Sequence, residues 1–142
     1  LGVNLNGPMY TMRRAIPIMV EQGGGVIVDI TSAAGLGGGF AGVAYTASKH
    51  GVVGLIKNTA IMYGSKGIRV VGIAPGGVSS GISLGGAPSE LGYAQLGKNL
   101  ATMPRAGEVS EIANIVVFVA SEKASFLNGA VIPVDGGWLA EG

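Results

Sequence analysis

The sequence predicts an α/β fold, half of a doubly wound domain with a parallel sheet. Three short apolar, β-branched runs alternate with segments whose apolar residues recur every three or four positions. Glycine supplies 27 of the 142 residues and clusters between these runs, as tight turns require. Strands that alternate with helices favour right-handed crossovers and a sheet covered on both faces.

The first elements in the chain are a helix and a buried strand. Apolar residues recur at helical spacing from Asn4 to Glu21, and the glycines that begin at Gly23 end this helix. The run "GVIVDIT", Gly25 to Thr31, is nearly all apolar and is bounded by turn residues. Such a run is typical of a parallel strand that is buried on both faces.

A glycine-rich connection, "AAGLGGGFAG", leads to a second helix from about Val43 to Tyr63. "GIRVVGIAP", Gly67 to Pro75, repeats the buried-strand pattern. The next stretch, Gly76 to about Pro104, is long enough to be functional, and "SELGYAQLGKNL" within it predicts a short helix. A third helix from about Glu108 to Ser121 and a strand in "GAVIPVDGG", Gly129 to Gly137, complete the pattern.

Composition narrows the class of partner. Charged residues make up 12% of the chain and the net charge is +1, so no basic field for nucleic acid is predicted. Without cysteine, neither a disulfide nor a thiolate metal site is expected, and no metal site is predicted. No apolar run approaches the roughly 18 residues of a membrane span. So few charges indicate a surface that is covered either by a partner subunit or by missing chain. We expect a homo-oligomer, a dimer or tetramer.

The opening "LGVNLNGPMY" has neither an initiator methionine nor the basic region of a signal peptide. It has the pattern of the inside of an element. We therefore expect a cytoplasmic protein and a chain whose N-terminal part is absent.

Polar side chains converge on one edge of the predicted sheet, where open parallel sheets bind ligands. Ser32 follows the first strand and Pro75 ends the second. Tyr45 and Lys49 lie early in the helix after the first strand, and their i, i+4 spacing places them on one helical face. A lysine ammonium beside a tyrosine favours the phenolate, which lowers a pKa of about 10 toward the working range. Nothing in this group carries electrons, so a hydride carrier must come from a cofactor.

Ser32, then Tyr45 thirteen residues later, then Lys49 in "YTASK" resemble the active site of the classical short-chain dehydrogenase/reductase family. "VNLNG", "GIRVVGIAPGGVSS" and "MPRAGEVSEIANIVVFVASEKASFLNGAVIPVDGGW" resemble further segments of that family, in the same order. The chain is similar to 3-oxoacyl-carrier-protein reductases and glucose dehydrogenase-like members. The resemblance implies that residues 1–142 are the catalytic C-terminal half of one Rossmann-like domain and that the N-terminal half is absent.

The resemblance also implies a role for each residue of this group. Tyr45 would be the general acid–base, and Lys49 would lower its pKa and bind the nicotinamide ribose. Ser32 would polarise the oxygen of a small carbonyl or alcohol substrate. Asn4 would hold a water in a proton relay.

The cofactor implied by the resemblance is NAD or NADP. Pro75, Gly76 and Val78 would face the nicotinamide, together with Tyr45 and Lys49. Ser80 stands where the family usually has a threonine near the carboxamide, and Val71 stands where "IRVN" has asparagine.

Other readings of the same residues stay open at this point. Ser32 could be a helix cap, His50 fits a surface role, and Arg105 fits a solvated or subunit-facing charge. The glycines of Ala33–Gly42 are interpreted as a connection and not as a dinucleotide turn, because they follow the strand that leads to Ser32. The alternative function is a truncated, non-catalytic structural or interaction module that does not bind dinucleotide.

Overall fold

The computed structural model describes residues 1–82 and 89–141. Helices and strands alternate along this part of the chain, as the apolar periodicity predicts. In order they are α1 (Gly7–Glu21), β1 (Gly25–Ile30), α2 (Val43–Tyr63), β2 (Ile68–Pro75), β3 (Val78–Ser79), α3 (Glu90–Leu100), β4 (Gly107–Glu108), α4 (Val109–Ala120) and β5 (Val131–Val134). None of the helices so described is both long enough and apolar enough to cross a membrane.

The main sheet has three strands in the order β1–β2–β5, and both pairings are parallel. Val28 of β1 lies opposite Val71 of β2, and Ile73 lies opposite Ile132 of β5. The central strand is buried along almost its whole length, which is why its sequence is nearly all apolar. The predicted fold class, an α/β fold with a parallel sheet, is confirmed.

The sheet separates two hydrophobic clusters. Val70 of β2 belongs to the cluster formed with α1 and α2, whereas its neighbour Val71 packs with Val119 of α4. Successive side chains of a strand point to opposite faces, so β2 contributes to both cores. Helices therefore cover both faces, as a doubly wound architecture requires.

The first helix begins later than the apolar pattern predicts. One turn of π-helix, Gly2–Asn6, precedes α1, and the backbone N–H of Asn6 bonds the carbonyl of Leu1. Pro8 has no N–H and fits the first turn of a helix, so regular α-helix starts beside it. Asn4 consequently lies in the π-helical turn and not in α1.

The last strand is shorter than predicted. Gly129 and Gly136 have φ angles of +72° and +69°, which are turn conformations that glycine adopts readily. These turns limit β5 to four residues, Val131–Val134.

The long segment after β2 contains a second, unpredicted sheet. Val78 pairs with Gly107 and Ser79 with Glu108, in parallel. Two-residue strands leave no periodic pattern in a sequence, so only the fold shows them. The helix predicted in "SELGYAQLGKNL" is confirmed as α3, which Ser89 caps by accepting a bond from the N–H of Gly92 at 3.0 Å. Residues 83–88 of this segment lie outside the described part.

Candidate active site

Two hydrogen bonds join the carboxyl end of β1 to the beginning of α2. Lys49 Nζ donates to the carbonyl of Ile30 at 2.9 Å, and Thr31 Oγ1 donates to the carbonyl of Lys49 at 3.1 Å. The side chain of Lys49 is thus bound to Ile30, and its backbone carbonyl is bound to the next residue, Thr31. These bonds hold Lys49 at the strand end that leads to Ser32.

A glycine makes this close approach possible. The short 3₁₀ turn Ala33–Gly35 packs directly on α2. A Cβ on Gly35 would lie 2.5 Å from Thr31 Oγ1 and 2.9 Å from the carbonyl oxygen of Lys49, both well inside van der Waals contact. Gly35 therefore belongs to the site's framework, although the sequence shows it only as one member of a glycine cluster.

Tyr45 and Lys49 share one face of α2, as their spacing predicts. Lys49 Nζ lies 5.6 Å from the centroid of the Tyr45 ring, within the range of a cation–π contact. The tyrosine is 40% exposed, so its phenol is open to a ligand, while Lys49 is half-buried. The structure thus brings an ammonium and a phenol together at the carboxyl edge of the sheet.

Ser32 lies two residues after the end of β1 and is partly buried. Its Oγ accepts a hydrogen bond from the backbone N–H of Ala34 at 3.2 Å, so the residue does cap the turn behind it. A hydroxyl that accepts one bond still has a proton to donate, so capping and binding a substrate oxygen are compatible.

Asn4 lies on the same side of the sheet, in the π-helical turn that packs against α2. The neighbouring Leu5 approaches α2 so closely that a Cβ on Gly51 would lie 2.7 Å from its Cδ1. Among the described residues, no hydrogen bond joins Asn4 to Ser32, Tyr45 or Lys49. The structure therefore places Asn4 in a turn that packs against the helix that carries Tyr45 and Lys49, without a hydrogen bond to either of them.

The residues expected to face the nicotinamide follow β2 at the same edge. Pro75 pairs with Val134 of β5, and the N–H of Gly76 donates to the carbonyl of Val134 at 3.2 Å. Val78 lies in β3, and Ser80 is exposed just beyond it. Because β1 and β2 are neighbours, this segment lies beside the strand end that leads to Ser32.

An ion pair lies next to β4, the strand that pairs with β3. Arg105 forms two hydrogen bonds with Glu111 of α4, at 2.8 Å and 2.7 Å. Glu111 also accepts from the N–H of Glu108 at 2.8 Å. The bonds from Arg105 and Glu108 lower the pKa of Glu111 to about 2. Because this pKa is depressed, the pair stabilises the fold above about pH 4.5 and is lost as the pH falls toward 2. Arg105 is thus committed to Glu111.

Helix α3 is attached to the site by a contact that we call the α3 latch, formed by Gly39, Phe40, Asn99 and Trp138. Asn99 Nδ2 donates to the carbonyl of Gly39, and Trp138 Nε1 donates to the carbonyl of Asn99, both at 3.0 Å. The rings of Phe40 and Trp138 meet edge to face at 4.7 Å. Gly39 has a φ of +82°, and a Cβ there would lie 2.5 Å from Asn99 Nδ2.

The α3 latch also bears on the glycine connection between Ser32 and Tyr45. Gly37, Gly39 and Gly42 have G-x-G-x-x-G spacing, which by itself would permit a dinucleotide turn. Asn99 occupies the space over Gly39, so the structure supports the interpretation of these glycines as a connection. Sequence reasoning missed the latch, for which the single tryptophan was the available signal.

A buried acidic residue near the site, Asp29, was predicted from the sequence only as part of a strand and not as a site residue. Asp29 of β1 has an oxygen, Oδ2, that is buried and has no hydrogen-bond partner in the described structure. Burial raises the pKa of Asp29, and the charge of Lys49 opposes that effect. Burial lowers the pKa of Lys49, and the charge of Asp29 opposes it in turn.

Two other side chains have different surroundings. His50 is exposed, and its Nδ1 lies 3.0 Å from the carbonyl oxygen of Thr46 on its own helix, which fits the predicted surface role. Across residues 1–82 and 89–141, no three His, Asp or Glu side chains are grouped as metal ligands would be.

Comparison with known proteins places this arrangement in a family. The family model described as "Enoyl-(Acyl carrier protein) reductase" matches residues 1–139. The 3beta-hydroxysteroid dehydrogenase 2 of Eggerthella lenta is 46% identical in an alignment of 140 residues that covers 97% of this chain and 54% of that protein. The short-chain dehydrogenase/reductase cdmF of Talaromyces verruculosus is 42% identical in an alignment of 147 residues, gaps included, that covers 97% of this chain and 57% of that one. The chain belongs to the short-chain dehydrogenase/reductase family.

Solved structures of this family show the same architecture. Levodione reductase superposes with a TM-score of 0.82 at 37% identity, covering 97% of this chain and 55% of that one. A 4-hydroxyisoleucine dehydrogenase complexed with NADH and succinate gives a TM-score of 0.81 at 29% identity, covering 97% and 56%. The chain thus spans about half the length of the relatives it matches, consistent with the C-terminal half of a Rossmann-like fold.

Proposed function

We propose that this chain is the catalytic part of an NAD(P)-dependent oxidoreductase that interconverts a carbonyl and an alcohol. The observation that carries the proposal is the position of Lys49. Its Nζ lies 5.6 Å from the centroid of the Tyr45 ring and donates to the carbonyl of Ile30, two residues before Ser32. One side chain thereby links the expected acid–base group to the strand end that leads to the expected substrate-binding hydroxyl.

The proposed chemistry at this edge is proton transfer. In carbonyl reduction Tyr45 Oη gives its proton to the substrate oxygen, and in alcohol oxidation it takes the proton back. The Lys49 ammonium favours the phenolate by Coulomb attraction. Ser32 donates a hydrogen bond to the same substrate oxygen and orients it, while keeping its own proton. Asn4, close to α2, holds a water that passes the proton on to solvent.

A nicotinamide cofactor, when bound, supplies the hydride that the protein's own side chains cannot. The donor set at the carboxyl edge fits such a group: the Lys49 ammonium and Tyr45 phenol for a ribose, and the Ser80 hydroxyl for a carboxamide. The backbone of Pro75, Gly76 and Val78 adjoins these groups. A family structure holds NADH, and we propose NAD or NADP for this chain without a preference between them.

The proposed substrate is a small carbonyl or alcohol compound that is not strongly anionic. The segment Ser79–Met103 includes α3 and borders the site on the substrate side, and its charged residues are Glu90 and Lys98 alone. Apolar side chains of its described residues are well exposed, among them Ile82, Leu91 and Tyr93. Residues 83–88 of this segment lie outside the described part.

We also propose a cytoplasmic homo-oligomer, a dimer or tetramer. Large apolar side chains remain exposed on α1, α2 and α4 and just after α4, namely Tyr10, Ile18, Ile61, Met62, Val117, Phe118 and Phe126. A second copy of the chain would remove this surface from water, which is favourable at roughly 25 cal/mol per Å². Light scattering of the purified protein tests the assembly, and a monomer at micromolar concentration would contradict it.

The test of the catalytic proposal is Tyr45→Phe in the complete protein. Loss of the phenolic proton should lower carbonyl reduction about 10²- to 10⁴-fold, the usual contribution of a general acid. Cofactor binding should weaken by no more than about tenfold, the contribution of the one hydrogen bond to the ribose that is lost. Tyr10→Phe, on exposed α1, makes the same chemical change away from the site and should keep full activity. Reduction that proceeds at the original rate in Tyr45→Phe would refute the mechanism.

A second candidate function is a non-catalytic structural or interaction module. It is favoured by β1, which has a partner strand on one side only in the described sheet. Fluorescence titration of the 142-residue chain with NADH and NADPH distinguishes the two candidates. Absence of binding together with retained folding would favour the module, whereas saturable binding favours the enzyme.

A further inference from the structure

Asp29 lies on the side of β1 that faces α2. Side chains alternate along a strand, and Ile27 packs in the α1–α2 cluster whereas Val28 packs in the α4 cluster. Asp29, two residues after Ile27, therefore shares the α2 side with it. Lys49 of α2 donates to the carbonyl of Ile30, the residue next to Asp29, so the acid and the lysine lie at the same strand end.

The Asp29 carboxylate has few other groups to interact with. Its Oδ2 is buried without a hydrogen-bond partner, and the residue across the β1–β2 ladder is Gly72, which has no side chain. A buried carboxylate without hydrogen bonds is costly unless an opposite charge lies near it. Of the charges that the structure describes, Lys49 is the one that acts on Asp29.

The other charged groups on the elements around Asp29 are engaged or solvated. On α1, Arg13, Arg14 and Glu21 are exposed, as is Lys57 on α2. Arg69 of β2 donates to the carbonyls of Val119, Ser121 and Leu127. Those bonds lie at the opposite end of the strands. Glu111 of α4 is paired with Arg105. The remaining titratable groups lie on α2: His50 is beside the Thr46 carbonyl, and Tyr45 is beside Lys49 itself. Tyr63, also on α2, is half-buried.

We propose that Asp29 is a positioning residue that keeps Lys49 as a charged ammonium beside Tyr45. The inference rests on the proposed function, in which that ammonium favours the phenolate. Burial disfavours the charged form of a lysine, and a nearby carboxylate restores it. An uncharged residue at position 29 would leave Lys49 with the cost of burial alone. The lysine would then lose its proton at a lower pH, and with it the field that acts on Tyr45.

The experiment compares Asp29→Asn with the unaltered complete protein. The substitution keeps the size and shape of the side chain and removes its charge. The primary measurement is the NMR titration of the Lys49 ε-methylene signal, assigned by its absence in Lys49→Met. We expect its midpoint to move to lower pH, because burial then lowers the pKa of Lys49 unopposed. The alkaline limb of alcohol oxidation should move in the same direction.

Two further variants separate charge from structure. Glu122→Gln removes one acidic charge near the opposite end of the strands and should leave the Lys49 titration unchanged. Asp29→Ala lacks both the charge and the amide, and it should give the same downward shift as Asp29→Asn. If Asp29→Asn folds poorly by circular dichroism, the reciprocal measurement in Lys49→Met replaces it. There the Asp29 carboxyl should titrate at higher pH, since Lys49 no longer lowers its pKa.

The outcomes distinguish this inference from the proposed function. A Lys49 midpoint that stays in place in Asp29→Asn overturns the role of Asp29, even when Tyr45→Phe abolishes activity. A shifted midpoint in a protein whose Tyr45→Phe variant keeps full activity retains the Asp29–Lys49 coupling and refutes the catalytic proposal. A shift of equal size in Glu122→Gln would show a general charge effect and would also overturn the inference.

Discussion

The two sides of the candidate active site are built differently. On the β1–α2 side, Lys49 makes two hydrogen bonds to the strand end. Gly35 lets the turn after β1 come into close contact with Thr31 and with the backbone of Lys49. On the α3 side, the attachment is the α3 latch, and none of the residues of α3 is buried. The groups proposed for proton transfer thus lie on packed elements, and the proposed substrate side lies on an element held at few points.

This difference has a physical basis. A proton passes between groups only when their heavy atoms are placed within about half an ångström of a productive geometry, which packed elements maintain. A substrate must enter and leave, so the segment that covers it must open at a small cost in free energy. We therefore expect substitutions on the β1–α2 side to affect the rate and the fold, and those on the α3 side to affect substrate affinity.

Of the substitutions that test the difference between the two sides, Lys49→Met should have the largest effect on activity. Removal of the ammonium takes away both the charge beside Tyr45 and the bond to Ile30, and we expect the rate of alcohol oxidation at neutral pH to fall about a hundredfold. The pH at which the oxidation rate reaches half its plateau should also move upward, because the phenolate is no longer favoured. Steady-state rates between pH 6 and 11 provide the measurement.

Lys57→Met serves as the control for that experiment. Lys57 lies on the same helix and is exposed, so its loss should change neither the rate nor the pH profile. An unchanged pH profile in Lys49→Met would argue against electrostatic coupling between Lys49 and Tyr45.

An intermediate effect is expected from Gly35→Ala. Its Cβ would overlap Thr31 Oγ1 and the Lys49 carbonyl, and we expect the free energy of unfolding to fall by about 1–3 kcal/mol, the usual range for overpacking. Gly38→Ala is a matched control in the same connection, because a Cβ there meets nothing within 4 Å. Urea unfolding of both variants checks this, and equal stabilities would contradict the tight β1–α2 contact.

The smallest expected effect comes from Asn99→Ala. It removes the bond from Nδ2 to the Gly39 carbonyl, a neutral hydrogen bond whose net contribution is about 0.5–1.5 kcal/mol. If that energy holds α3 over the substrate, KM should rise about two- to tenfold while kcat stays within a factor of two. Gln95→Ala, on the same helix, is the control. A fall in kcat with constant KM would instead place α3 among the elements that support proton transfer.

Several features could be predicted from the sequence because they depend on local pattern. The nearly apolar run that became β2 predicted a strand buried on both faces, and the spacing of Tyr45 and Lys49 predicted a shared helical face. The start of α1 was wrong by three residues. The effect of Pro8 and the π-helical turn depends on how the first residues pack against α2.

By itself, the sequence determined the order of the longer helices and strands, the edge of the sheet where a ligand is expected, and the residue types gathered there, since periodicity and residue chemistry are local properties. Only the tertiary structure decided which distant groups touch. The latch between Asn99 and Gly39, the β3–β4 pair and the close contact of Gly35 with Lys49 join residues between 14 and 60 positions apart. Asp29 became visible only there, because burial without a hydrogen-bond partner and closeness to Lys49 are properties of the packed chain.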